Sequence, residues 1–195
     1  MTKVRLIAFS GSARRESFNR RLLAVMVQGA EGEGAAVTVA EPREFAMPLY
    51  DADLESAEGL PAAAARLQEL FADHDGLLLA TPEYNNFFTP LVKNTFDWLS
   101  RPLANGSGKP GTVHMRGKPA GIAAASTGAL AGIRSLLHTR LYLSNLGFIV
   151  VPEQIGVPKA TEAFDPEGRL TDSRLHAGVE GVGAAVARLA RLLKG

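Results

Sequence analysis

Cysteine is absent from the chain. That excludes disulfides, thiol redox catalysis and thiolate metal sites, so any electron chemistry must be borrowed from a bound cofactor. Long apolar runs are missing too. Nothing approaches the roughly 18 residues that a membrane-spanning helix needs, and the N-terminus enters a strand pattern instead of offering a basic segment, an apolar core and a cleavage site. A cytoplasmic protein is the expectation. Charge of one sign is scarce, with 21 Lys and Arg against 20 Asp and Glu for a net +1. The arginines are scattered among acids rather than gathered into a stripe with interleaved aromatics, which leaves no case for nucleic acid. The four histidines, His74, His114, His138 and His176, show no metal-ligand spacing and read as surface or packing residues. No metal site is expected, and no internal repeat is present.

What remains is a chain of 195 residues with 46% apolar composition, enough for one sizeable core and too short for two ordinary domains. A single domain over residues 1–195 is expected. Buried-strand signals alternate with helical periodicity along its length. Val4 to Ser10 reads as a strand, then Phe18, Leu22 and Met26 mark a helix over 18–28, and Ala36 to Ala40 a second strand. After a Pro-rich loop, Leu60, Ala64, Leu67 and Phe71 mark a helix that leads into the run Gly76 to Ala80. Pro90 suits the first turn of a third helix with Leu91, Thr95, Phe96 and Leu99 inward. Ala120 to Ala125 is a fourth strand, and Leu130, Ile133, Leu137 and Leu141 mark a fourth helix. Phe148 to Val151 forms a fifth strand, and Val182, Val186, Leu189 and Leu193 form the stripe of a closing helix. Such alternation predicts an α/β fold of three layers, a doubly wound five-stranded parallel sheet in the flavodoxin-like order 2-1-3-4-5. Ligands on that sheet sit outside the carboxyl ends of strands one and three.

The loops selected by that rule begin at Gly11, Thr81 and Ser126. In the first, Ser10, Ser12, Ser17 and Asn19 surround a helix N-terminus whose free N–H groups and positive dipole end favour an anion. Arg14 adds a guanidinium that matches phosphate oxygens. Arg14, Arg15, Arg20 and Arg21 crowd the end of a helix where cations are unfavourable unless an anion is bound. Simple capping by Ser17 with solvated arginines explains the same residues without a ligand. Residues 105–110, Asn-Gly-Ser-Gly-Lys-Pro, lack the leading glycine and preceding strand of a phosphate loop and read as a flexible connection. The second loop, Thr81 to Pro90, contains Tyr84, Phe87 and Phe88 between prolines. These aromatics either flank a flat ring or, for Phe87 and Phe88 in particular, pack onto the sheet. The third, Ala125 to Gly132, is rich in small residues that let backbone approach a ligand.

Taken together, Ser10-Gly11-Ser12 through Ser17-Phe18-Asn19, Pro82-Glu83-Tyr84-Asn85, Leu91-Val92-Lys93-Asn94 and Asp97-Trp98-Leu99-Ser100-Arg101 resemble the NADPH-dependent FMN reductase family, which includes quinone, chromate and azo-dye reductases. The likeness runs over nearly the whole chain. It implies that Ser10, Ser12, Arg14, Ser17 and Asn19 hold the FMN phosphate, with Phe18 also among the cofactor-binding residues. It implies further that Pro82, Glu83, Tyr84 and Asn85 touch ribityl and isoalloxazine, and that Ser126, Thr127 and Gly128 lie beside the ring. Ala131 departs from the resemblance, standing where relatives often carry glycine, and Phe87-Phe88-Thr89 is bulkier than usual. Asn94, Asp97 and Trp98 belong to the signature but lie within a helix, where packing and anchoring are their expected roles. The implied activity is an oxidoreductase that passes hydride from NADPH or NADH to bound FMN, then electrons to a quinone, azo, nitro, chromate or flavin acceptor, in a ping-pong sequence. No side-chain acid, base or nucleophile is assigned as catalytic, and neither nicotinamide cofactor is preferred, since no ribose-reading acid or phosphate-reading arginine is assignable. The family also implies a homodimer or homotetramer. A non-enzymatic flavodoxin-type electron carrier is the alternative, disfavoured by Arg14 and by near-neutral charge; a phosphatase on a similar sheet lacks a nucleophile.

Overall fold

Strand β1 (Arg5–Ser10) carries apolar side chains on both faces, and that pattern sets the architecture. Leu6 and Ala8 turn to one side with helices α1 (Phe18–Gly32) and α7 (Ser173–Leu193); Ile7 and Phe9 turn to the other, with α3 (Ala62–Asp73), α4 (Pro90–Leu99) and α5 (Ile133–Asn145). The computed structural model, which describes residues 3–195, completes the sheet with β2 (Ala36–Ala40), β3 (Gly76–Ala80), β4 (Pro119–Ala125) and β5 (Ile149–Val157). All pairings are parallel in the order β2-β1-β3-β4-β5, the flavodoxin-like arrangement. Two cores result, one per face, and the three inner strands are buried on both faces apart from Arg5 at the start of β1.

Helices α1 and α7 meet closely because glycines stand at the crossing. A Cβ on Gly29 would come within 2.0 Å of the Glu180 carbonyl oxygen, and one on Gly183 within 1.9 Å of that of Met26. On the other face, α4 and the residue Arg101 just beyond it clamp the segment between β2 and α3. Asn94 Nδ2 and Trp98 Nε1 both donate to the Pro48 carbonyl at 2.8 Å, the Tyr50 N–H donates to Asn94 Oδ1, and Arg101 pairs with Glu55 at 2.8 Å. Asp97 accepts from the Tyr142 hydroxyl at 3.2 Å and pairs with Lys93. Burial, reinforced by the Asp97 carboxylate, pushes the Tyr142 phenol far above its usual range. Packing and anchoring are thus what Asn94, Asp97 and Trp98 do.

Four local readings change. The Pro-rich loop contains α2 (Ala52–Glu58), started by Asp51, whose carboxylate accepts from the N–H groups of Asp53 and Leu54. None of its residues is buried, so it carries no apolar period to detect. Strand β5 runs on to Val157 through Pro152, which an edge strand tolerates, and a bulge opposite Ala120 and Ile122 absorbs the extra length. In α5 the buried row is Ser135, Leu136, Thr139 and Leu143, so Leu130, Ile133, Leu137 and Leu141 face outward, each more than half exposed. The inward row is masked in sequence because Ser135 and Thr139 are polar; Thr139 Oγ1 donates to the Ser135 carbonyl at 2.6 Å and so needs no other partner. Finally, Leu193 ends the closing stripe exposed at 53%. A short helix, α6 (Ala160–Ala163), links β5 to α7.

His74, at the end of α3, is buried. Its Nδ1 meets the Leu70 carbonyl oxygen at 2.7 Å and Nε2 meets Thr38 Oγ1 at 2.8 Å. Burial is the main cause that holds its pKa below the ordinary 6.5, with the Arg5 guanidinium adding to it against the Leu70 carbonyl. The neutral ring is favoured in the folded state, so the unfolded chain binds more protons between the two pKa values. Stability from this group is complete above about pH 6.5 and falls as pH drops toward the folded value. Urea unfolding across that window should show a steeper loss for the wild type than for His74→Gln. Parallel curves would mean that His74 makes no such contribution.

Candidate functional site

The first loop leaves β1 through Gly11, whose N–H donates to the Ala80 carbonyl at 2.8 Å. Glycine is required here by contact, since a Cβ would lie 2.4 Å from Thr81 Oγ1 and 2.8 Å from a Val92 methyl. The Ser12 N–H donates to Ser10 Oγ at 3.2 Å, and Ser17 caps α1 by accepting from the Asn19 N–H at 3.2 Å. The N–H groups of Ala13, Arg15, Glu16 and Phe18 find no acceptor among the described residues. Of the four arginines at this helix end, Arg20 pairs with Glu41 at 2.7 Å and Arg21 with Glu16 at 3.4 Å. Arg14 and Arg15 make no ion pair among the described residues; the Arg14 guanidinium lies 5.4 Å over the Phe18 ring. The positive end of α1 therefore meets an uncompensated guanidinium, an arrangement that favours an anion between them.

The second loop is a tight turn. Tyr84 and Phe87 exchange backbone hydrogen bonds of 2.8 and 3.0 Å, and the two residues between them, Asn85 and Asn86, have φ of 49° and 72°. Positive φ at both central positions defines a primed hairpin turn, which asparagine tolerates better than other side chains. Phe87 stacks on His138 at 4.2 Å and stays 44% exposed, whereas Phe88 is buried against Tyr142 at 4.9 Å. The base of the loop is tied twice. Thr89 Oγ1 donates to the Gly11 carbonyl at 2.8 Å, and the Glu83 carboxylate pairs with Arg134 at 2.7 Å while accepting from the Ser135 N–H at 3.3 Å. The third loop follows β4. The Ser126 N–H donates to the Val157 carbonyl at 3.0 Å, and the Gly128 N–H to Ser126 Oγ at 3.2 Å. Ala131 takes φ of 57°, a conformation that costs an alanine about 1–2 kcal/mol.

These loops converge on one cavity of about 290 Å3. Ser12, Arg14, Ser17, Phe18 and Asn19 line it from the first loop, Pro82, Glu83 and Tyr84 from the second, and Ser126 and Thr127 from the third. Asn19 stands at its wall with its amide engaged: Nδ2 donates to the Ala125 carbonyl at 3.0 Å and Oδ1 accepts from the Ala125 N–H at 2.9 Å. Three residues singled out in sequence lie elsewhere. Ser10 is buried beneath the loop, Asn85 is at the exposed tip of the turn, and Gly128 is exposed beyond the rim. Ala125 also lines the cavity. No side-chain signal marks it, because it acts through its backbone.

The hairpin turn yields a direct test. Asn86→Gly should leave thermal stability within about 0.5 kcal/mol, while Asn86→Val, a β-branched residue forced to positive φ, should cost about 1–3 kcal/mol. Equal stabilities for the two variants would show that the turn does not hold this conformation.

The sequence model of the NADPH-dependent FMN reductase family matches residues 4–162. The chain is 33% identical to the NAD(P)H-dependent FMN reductase of Pseudomonas aeruginosa, a match covering 88% of this chain and 86% of that protein. It is 34% identical to the quinone reductase of Escherichia coli, over 79% of this chain and 78% of that one. Among solved structures, the flavoenzyme NAD(P)H:(acceptor) oxidoreductase of Paracoccus denitrificans superposes with a TM-score of 0.80, covering 97% of this chain and 98% of that one; at 24% identity this is a likeness of fold. With the family matched over most of its length and the three loops gathered at one cavity, the chain belongs to the NADPH-dependent FMN reductase family and is an oxidoreductase.

Proposed function

We propose that the protein takes hydride from NADPH or NADH onto bound FMN and passes the electrons to a quinone, azo, nitro, chromate or flavin acceptor in two separate half-reactions. One observation carries this reading: Arg14, without an ion pair among the described residues, lines the same cavity as Ser17 and Phe18 at the start of α1 and as Pro82, Tyr84, Ser126 and Thr127. The residues present fit FMN, because the first set matches a phosphate and the second a flat ring system with polar edges. The flavin supplies the two-electron chemistry that a chain without cysteine lacks. Arg14, Ser12 and Ser17 would hold its phosphate, and Pro82, Tyr84, Ser126 and Thr127 would hold its ring system. Glu83 positions the second loop through Arg134 and Ser135, and Asn19 positions the first against Ala125. Among the described residues no helix is long and apolar enough to cross a membrane. Residues 1–195 act as one unit in this reading.

Its working form is a homodimer or homotetramer. The outward row of α5, Ile133, Leu137 and Leu141, is spaced by four residues and exposed at 51%, 57% and 61%, and Leu130 in the turn before it is exposed at 57%. A contiguous apolar ridge of this kind suits two-fold packing against the same ridge of a second copy.

Purified protein saturated with FMN should be yellow, and anaerobic NADPH should bleach it; a flavin that stays oxidised would leave only an electron carrier. Arg14→Ala should weaken FMN binding by about 1.5–3 kcal/mol, and FMN should raise the melting temperature with the logarithm of its free concentration. An unchanged dissociation constant would remove Arg14 from the site. By light scattering, Leu137→Glu should dissociate the oligomer; a wild type that is already monomeric at about micromolar concentration would refute the α5 interface.

A further inference from the structure

Helix α5 grips the second loop along three successive turns. Arg134, His138 and Tyr142 are spaced by four residues and so share one side of the helix. Arg134 pairs with Glu83 at 2.7 Å, the His138 ring stacks on Phe87 with centroids 4.2 Å apart and planes 24° from parallel, and the Tyr142 ring stacks on Phe88 at 4.9 Å. The outer two contacts hold the base of the loop, where Glu83 precedes the hairpin turn and the buried Phe88 follows it. The middle contact reaches the turn itself. Tyr84, Asn85, Asn86 and Phe87 are all exposed, and none of them makes a side-chain hydrogen bond among the described residues.

A turn of this kind needs such a tie. Asn85 and Asn86 stand at φ of 49° and 72°, a conformation that non-glycine residues keep only where their surroundings hold it. The two backbone bonds between Tyr84 and Phe87 fix the shape of the turn but not its direction. Direction matters because Tyr84 lines the cavity. Tyr84 and Phe87 stand directly opposite each other in the hairpin, and the side chains of such a pair leave the same face of it. The two therefore move as one body, and a displaced Phe87 carries Tyr84 with it. His138 is not among the residues that line the cavity, so it acts on the site through this pair. We propose that His138 is a positioning residue for the flavin: by stacking on Phe87 it fixes the direction of the hairpin, and with it the place of Tyr84 against the ring system. This rests on the FMN-dependent reading above and adds to it a residue outside the cavity that governs how tightly the ring is held.

The test is a double-mutant cycle read by fluorescence titration with FMN, with the visible circular dichroism of the bound flavin as a second signal. His138→Ala should raise the FMN dissociation constant by about two- to tenfold, the scale of one aromatic stack, and should change the dichroism. His138→Phe keeps a flat ring against Phe87 and should restore both signals, the dissociation constant to within about twofold of the wild type. Phe87→Ala should reproduce the effect of His138→Ala, and the double variant should be no weaker than either single one, because both substitutions remove the same contact. Phe87 lies on an exposed turn, so that arm decides the matter even if His138→Ala does not fold. Unchanged FMN affinity and dichroism in the single variants, even with a lowered melting temperature, would make the stack a purely structural contact and overturn the proposal. Effects that add in the double variant would overturn it too, as would a His138→Phe that behaves like His138→Ala. A wild type that does not retain FMN defeats the function itself, whereas a wild type that binds FMN no tighter than these variants defeats this inference alone.

Discussion

The site depends on one buried amide. Asn19, in the first turn of α1, makes both of its hydrogen bonds to the backbone of Ala125 at the end of β4. β4 is separated from β1 by β3, so this pair spans two strand intervals and locks the first loop to the third. Losing either partner would leave a desolvated donor or acceptor, at a cost of about 1–3 kcal/mol. Two further ties complete the frame. Thr89 joins the second loop to Gly11, and Glu83 joins it to the N-terminus of α5. A carboxylate in the latter position also meets the positive end of a helix. Three loops that share no covalent proximity are thereby held as one rigid rim, and a rim of that kind presents polar groups to a ligand at little cost in ordering.

Charge around α1 follows a simple division. The helix start carries four arginines, two of which are satisfied by glutamates within the chain. The other two, Arg14 and Arg15, are consecutive, and of them Arg14 lines the cavity. A chain of net charge +1 thus places two guanidinium groups without an ion pair among the described residues at the start of one helix, without a general basic surface. The same economy appears in the redox chemistry, which falls to a cofactor because no residue of the chain supplies it.

Much of the fold was legible because a parallel sheet buried on both faces needs continuous apolar strands, and Leu6 to Phe9, Leu77 to Ala80 and Ala120 to Ala125 are that kind of run. What escaped had no apolar period or had a misleading one. Helix α2 buries nothing, and the far half of β5 is an edge with Pro152 and Glu153 in it. On α5 the most regular apolar row faces outward, because two of the four inward positions are the polar Ser135 and Thr139 and only Leu136 and Leu143 carry the apolar signal there. At the site, residue types announced the loops, yet the Asn85-Asn86 turn reads as mere polarity until both φ angles prove positive.

Local chemistry alone therefore determined the alternation of strands and helices, the caps, the absence of thiol chemistry and the three loops that had to meet at the carboxyl edge. These follow from period, propensity and residue type, all of which act over a few neighbours. Tertiary structure decided which arginines are neutralised, which face of α5 stays bare and which polar side chains serve the frame instead of the cavity. Those outcomes depend on partners such as Glu41, Ala125 and Ser135, which lie 21, 106 and 52 positions from Arg20, Asn19 and Glu83 respectively. No spacing in the chain encodes a contact at that range; only the packing of α1, β2, β4 and α5 around the sheet brings the charges and carbonyls together.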